Sequence, residues 1–237
     1  MRSLFAAILF TLVLSVIPRV DAKAISVSVV TDVWLGFSNE DQTGYYFEIL
    51  NRIFPEPQWQ LDVSFMPFAR TLYIVDHQKA DIVLSVYQGD LQDGLYSAQI
   101  VELDTIDVAL TPEMAKNWTG VNDLKNKKVQ AKLAYRFNKL VSVPMFYEES
   151  SSLLDMLNSL NAGRIDAVLH YEPSILAESK KLKNPMTFVI KRDAIVAETY
   201  FGFANTDKGQ MLKLHFDREH AKLIETGEQA RLFDAIK

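Results

Sequence analysis

The sequence contains no cysteine, and that absence removes several classes at once. Disulfide staples, thiolate metal sites, cysteine nucleophiles, redox motifs and a lipid anchor on a modified N-terminal cysteine are all excluded. Whatever holds the fold must be a hydrophobic core, and 49% hydrophobic residues supply one. Basic blocks are missing as well. Lys and Arg total 25 against 30 Asp and Glu, with a formal net charge of −5, and a mildly acidic chain without a basic patch is not expected to bind nucleic acid. Histidine is scarce: His77, His170, His215 and His220. The last two are five apart on an expected helix, not the i, i+4 spacing that aims two ligands at one metal, and both are expected on a solvated face. His170 sits at a strand end, where it either touches a cleft or serves as a structural histidine. There is no Gly-x-Ser-x-Gly elbow, phosphate loop or dinucleotide fingerprint. Glu148 and Glu149 read as loop carboxylates. No cofactor and no metal site are expected.

Long apolar runs are lacking too, with one exception at the N-terminus. Arg2 gives a positive start, Leu4 to Ile17 is apolar apart from Thr11 and Ser15, Pro18 and Arg19 end the run, and Val20-Asp21-Ala22 fits a cleavage site before Lys23. These are the three parts of a secretory signal peptide. The run is about 14 residues, short of the roughly 20 needed to span a bilayer as a helix. Residues 1–22 are therefore read as a signal cleaved after Ala22, and the mature chain is expected to work outside the cytoplasm, unanchored, in the periplasm.

Beyond Lys23 the chain alternates in period. Ile25 to Val30 reads as a buried strand. Gly44 precedes a helix in which Phe47, Leu50, Ile53 and Phe54 share a face, ended by Pro55 and Pro57. Leu61 to Phe65 reads as a strand, Phe68 to Gln78 as a helix, and Asp81 to Ser85 as a second buried strand. A similar series comes next: a short helix at Asp123 and Leu124, strands at Lys128–Leu133 and Val143–Tyr147, a helix capped by Ser150 or Ser151 and closed by Gly163, and a strand at Ile165–Leu169. A strand near Tyr200–Ala204 and a long helix from about Asp207 to Glu225 complete the chain. This order predicts α/β lobes with mostly parallel sheets flanked by helices. Lys79-Ala80-Asp81-Ile82-Val83-Leu84 and Arg164-Ile165-Asp166-Ala167-Val168-Leu169 each place an Asp at the mouth of an aliphatic strand after a helix, which favours two lobes of similar build.

In open parallel sheets, ligands bind beyond the carboxyl ends of the strands. Those positions carry Asp32, Trp34 and Phe37 after the first strand, and Ser85, Tyr87 and Gln88 after the Asp81 strand. In the second series they carry Tyr135 and Arg136, then His170, Tyr171 and Glu172. Aromatic faces with a few polar groups are how small-molecule pockets are built. Trp34 and Phe37 can sandwich a flat or aliphatic ligand or hold a cation against a ring, or simply seal a lobe edge. Arg136 can take a carboxylate or stand as a surface Arg.

From Lys23 nearly to its end the chain resembles the amino-acid-type extracellular solute-binding proteins of ABC importers (family 3). The matching pieces are the first strand with Asp32 and its aromatics, Thr43-Gly44-Tyr45-Tyr46-Phe47-Glu48, Lys79-Ala80-Asp81, Val121 to Val129, and Ala162-Gly163-Arg164-Ile165-Asp166-Ala167. The resemblance implies a two-lobed type II periplasmic-binding-protein fold, with lobe 1 formed by 23–108 plus 197–237 and lobe 2 by 109–196. It implies crossovers near Val108–Leu110 and Val196–Thr199, and hinge closure on a small polar, amino-acid-like ligand. A membrane permease or sensor is the implied partner and the chain is expected to be a monomer. A sensing module for a membrane partner, or a lyase or dehydratase on the same fold, are the alternatives.

The departures concern recognition. The family's carboxylate-clamping Arg falls on Asp93 here, which repels a ligand carboxylate instead of attracting it. The family's ammonium-binding Asp falls on Tyr171, with Glu172 beside it. Arg70 resembles an Arg of more divergent members and stands as the substitute clamp, or else as half of a structural ion pair.

Overall fold

The computed structural model describes residues 23–236, so the signal-peptide reading of 1–22 lies outside the described residues. The first series runs β1 (Ile25–Thr31), α1 (Tyr45–Ile53), β2 (Trp59–Phe65), α2 (Phe68–Asp76), β3 (Ile82–Val86) and a two-residue β4 (Leu95–Tyr96). A long strand, β5 (Glu102–Leu110), leads to α3 (Pro112–Lys116) and the second series: β6 (Lys128–Lys132), β7 (Phe146–Ser150), α4 (Leu153–Asn161), β8 (Ala167–His170) and α5 (Glu172–Ser179). The chain returns through β9 (Val189–Phe203) and ends in α6 (Asp207–Glu225) and α7 (Glu228–Asp234).

The strands follow the order β2-β1-β3-β9-β5-β8-β6-β7, with β4 also paired to β9. β1 pairs in parallel with β2 and β3, and β6 in parallel with β7 and β8. These are the two lobes. They are joined by the antiparallel pair β5 and β9, whose register runs from Glu102↔Thr199 to Leu110↔Val189 with a shift between Ile106 and Val108. The far end of β9 belongs to the first lobe through Ile82↔Phe203, and the far end of β5 to the second through Leu110↔Ala167.

Each lobe's inner strands are apolar on both faces because both faces are covered. Along β3, Ile82 and Leu84 face a core with α1 and α6 that includes Phe47, Leu50, Phe201 and Phe216. Val83 and Val86 face a second core shared with Val129, Phe137 and Leu169 of the other lobe. β8 repeats the arrangement, with Val168 against α4 and Ala167 and Leu169 in the shared core. The paired aspartates explain the sequence echo. Asp81 accepts from the Ser28 amide at 2.8 Å and ties β3 to β1, while Asp166 accepts from the Lys128 amide at 2.8 Å and ties β8 to β6. Both are strand-mouth staples, and Asp81 is further paired with Lys208 at 2.6 Å.

Several expectations need correction. The strand expected at Val143–Tyr147 lies at Phe146–Ser150. Pro144 has no N–H to give a ladder, and its carbonyl instead accepts from Asn126. Glu148 and Glu149 are therefore in an edge strand and not a loop. The cap of α4 is Ser152, whose hydroxyl accepts from the Asp155 amide at 3.1 Å. Apolar periodicity does not reveal β5, and β9 begins eleven residues before Tyr200, because acids interrupt both strands. His215 and His220 are not on a solvated face. His220 is fully buried against Phe216, and His215 packs on Trp59 with its Nε2 2.8 Å from the Ile53 carbonyl.

Candidate ligand site between the lobes

A cavity of about 210 Å³ lies where the lobes meet β5. The first lobe contributes Trp34, Leu35 and Phe37 from the β1 loop, Tyr46 from α1 and Ser85 from β3. The second contributes Tyr171, Pro173 and Ser174 at the start of α5, and β5 itself contributes Glu102, Asp104, Thr105 and Asp107. Gly44 positions the aromatic wall. Its φ is +107°, and a Cβ there would stand 2.7 Å from the Phe37 carbonyl oxygen. Only glycine lets the 36–37 loop lie so close to the first turn of α1. Ser85 also has a left-handed φ of 53°, at a register shift in the β3–β9 ladder, which turns its hydroxyl toward Tyr46 at 3.0 Å.

The floor is acidic. Glu102, Asp104 and Asp107 are 8%, 7% and 8% exposed. Tyr46 donates to Glu102, and both Tyr87 and Tyr171 donate to Asp104, Tyr171 at 2.8 Å. Asp107 accepts from the amides of Glu172 at 2.7 Å and Asp193 at 3.0 Å. Burial, followed by the neighbouring Asp104, pushes Glu102 up to about 8, so in the unliganded protein this carboxyl holds its proton at neutral pH. Burial likewise raises Asp104 and Asp107. Among the described residues, none of the three carboxylates is in an ion pair.

Beside the cavity, at what we call the mouth of the cleft, the lobes meet differently, and Asp32, Phe68 and Lys132 line a separate pocket there. Asp32 accepts from the Phe68 amide at 3.1 Å and pairs with Lys132 of the second lobe at 3.0 Å. Trp34 Nε1 donates to Tyr135 Oη at 3.1 Å across the same gap, and Phe68 meets Tyr135 edge to face at 5.7 Å. Tyr135 is held there by a turn in which Ala134 and Arg136 have φ of 68° and 48°. Glu149 accepts from both amides of that turn at 2.8 Å, which offsets the cost of two left-handed residues.

The expected site residues thus divide. Trp34, Phe37, Ser85 and Tyr171 line the cavity. Tyr87 lies just behind it, on Asp104. Asp32 and Tyr135 form the mouth contacts. Arg136 reaches the Asp90 carbonyl at 3.4 Å, and Glu172 pairs with Arg192 at 2.5 Å. Arg70 and Gln88 are exposed and outside the cavity lining, as is Asp93, which accepts from Asn205. His170 is buried, accepts from the Tyr171 amide at 2.8 Å, and is held neutral as burial lowers it to about 3. Sequence reasoning missed Glu102, Asp104 and Asp107. The available signal was acids two apart, at 102 and 104, within a stretch that is otherwise apolar or β-branched; on a strand that spacing puts both on one face.

No family model matches the sequence, nor does any curated protein. Solved structures do match. An amino acid ABC transporter substrate-binding protein from Streptococcus pneumoniae, bound to L-arginine, is 20% identical with a TM-score of 0.64, covering 89% of this chain and 94% of that one. The GluR0 ligand-binding core in complex with L-glutamate is 16% identical with a TM-score of 0.67, covering 91% and 98%. A probable amino-acid ABC transporter extracellular-binding protein from Bacillus subtilis is 19% identical with a TM-score of 0.62, covering 89% and 96%. These likenesses span both lobes and the strands that join them, and the chain has the two-lobed α/β fold of extracellular solute-binding proteins.

Proposed function

We propose that this protein captures a small solute between its lobes, outside the cytoplasm, and delivers it to a membrane partner of the ABC-importer type. The observation that carries this reading is the cavity itself, walled jointly by both lobes and floored by a strand that connects them. Such a site changes shape whenever the lobes move, which couples occupancy to closure. We place the crossings at Glu102–Ile106 on β5 and Ile195–Thr199 on β9, since Val108 to Leu110 already pair with β8. Trp34, Phe37, Ser85 and Tyr171 are the ligand contacts in this reading. The fold's solved neighbours include proteins described as bound to arginine, glutamine and glutamate, which supports capture. No helix of the described residues is long and apolar enough to cross a membrane, so the proposed partner supplies the membrane passage. Capture is favoured over turnover because solved neighbours of the fold are described as substrate-binding or extracellular-binding proteins.

The test is a thermal-shift screen of amino acids, polyamines, quaternary amines, sugars and organic acids, with native mass spectrometry of the purified protein. A ligand present at 100 times its Kd stabilises the folded state by about 2.7 kcal/mol, which raises Tm by several degrees. A screen without any shift, on protein that carries no bound small molecule, overturns the reading.

A further inference from the structure

The cavity lining sorts by charge in an unusual way. Three of its residues are carboxylic acids, four are aromatic, and none is Lys, Arg or His. Buried carboxylates ordinarily have a cationic partner or a full set of donors. Asp107 has donors, from Glu172 and Asp193. Glu102 has Tyr46 on one oxygen and, among the described residues, no partner on Oε1.

The first amides at the two helix starts beside the cavity are already taken. Two helices begin at the cavity. The first amides of α1, at Tyr45 and Tyr46, donate to the carbonyls of Gly36 and Phe37 at 3.0 Å. At α5, the Glu172 amide is taken by Asp107, and the next residue, Pro173, has no N–H to offer. Asp107 therefore occupies the anion-seeking end of that helix from inside the protein. A ligand carboxylate entering this space would find no protein cation to receive it and would meet the Asp104 carboxyl, whereas a cation can replace the Glu102 proton and gain that charge.

The aromatic walls point the same way. Trp34 and Tyr46 stand at 90° to each other with centroids 6.4 Å apart, and Phe37 leans on Tyr46 at 5.4 Å. Rings at steep angles around a small space are suited to a cation, which each ring attracts through its quadrupole. The acids are not grouped for a metal: no set of three His, Cys, Asp or Glu among the described residues is placed to hold one.

We propose that the captured solute is a small organic cation carrying no carboxylate, with its charge against Glu102 and Asp104 and its body among Trp34, Phe37 and Tyr171. This rests on the capture reading. Ser85, Thr105 and Ser174, which line the same space, would accept any remaining N–H through their hydroxyls.

The experiment is calorimetric titration with matched probes that differ by one carboxylate, agmatine against L-arginine and cadaverine against L-lysine, together with choline, L-glutamate and glucose. The expected result is that at least one of agmatine, cadaverine and choline binds, and that a bound amine binds at least about tenfold tighter than its amino acid. Glu102→Gln, which keeps the side-chain shape and the Tyr46 contact, is expected to weaken that cation by about 30-fold. Thr105→Lys places a protein cation on an exposed cavity position and is expected to abolish cation binding even where Glu102→Gln fails to fold. Arginine or lysine binding as tightly as its decarboxylated counterpart overturns the proposal, as does binding of only glutamate or glucose, while both results leave capture standing. No binding by any probe, alongside a negative thermal-shift screen, removes the capture reading itself.

Discussion

The two ends of the interlobe cleft handle charge in opposite ways. At the mouth, Asp32 is paired with Lys132 across the gap and capped by the Phe68 amide. At the floor, Glu102 and Asp104 have tyrosine hydroxyls but, among the described residues, no cation. The mouth is internally complete and contributes to holding the lobes together. The floor is left with acid that is costly to ionise, and an incoming cation changes its energy most. Structure is completed where the protein closes on itself and left incomplete where it meets something else.

The pH dependence of stability breaks this comparison most strongly. A carboxyl raised to about 8 in the folded state and near its ordinary value when unfolded binds more protons folded than unfolded between those limits. This carboxyl's own contribution is therefore greatest near pH 5 and falls as pH rises toward 9, by an amount on the order of a few kcal/mol. Asp104, raised in the same direction, adds to the fall. Tyr46 and Asp104 are the groups that act on Glu102. His170 and His220, both lowered by burial, bind protons only when unfolded and make stability rise between about pH 5 and 7, so the fall due to Glu102 is read from pH 7 to 9. Denaturant titrations from pH 7 to 9 on the unliganded protein check it, and a flat or rising profile over that range counts against the floor as described.

Gly44→Ala tests the wall between the two ends. Its Cβ collides with the Phe37 carbonyl, and we expect a loss of about 1–3 kcal/mol in stability together with weaker ligand binding. Lys132→Met tests the mouth. The pair is partly exposed, so its removal costs about 1 kcal/mol or less, and the effect should shrink in high salt while binding at the floor persists. Arg70→Ala is expected to be nearly silent, within about 0.5 kcal/mol in stability and without effect on ligand affinity, because that side chain is exposed and outside the cavity. A large loss of affinity in this variant would move the site toward α2.

The two lobes differ little in how legible they were. β1, α1, β3, α4 and α6 follow from apolar periodicity and, for α4, from Gly163, although its cap is Ser152, and the Asp81 and Asp166 echo correctly announced two similar sheets, since each aspartate staples the corresponding pair of strands in its lobe. Trp34, Phe37, Ser85 and Tyr171 were reachable because strand ends in parallel sheets line clefts. β5 was not reachable in that way. Its acids disguise a buried strand, and their purpose appears only when Tyr46, Tyr87 and Tyr171 from three separate segments converge on them. Glu149 was hidden for a related reason, since its partners are amides of a turn on another segment.

The floor of the cleft, on this account, holds a proton in the unliganded protein and exchanges it for a cation. Titration, at pH 7 in two buffers of different ionisation enthalpy, of whichever of agmatine, cadaverine and choline binds measures that exchange directly. The account predicts release of about one proton per cation bound; binding with no proton released, or with a proton taken up, would contradict it.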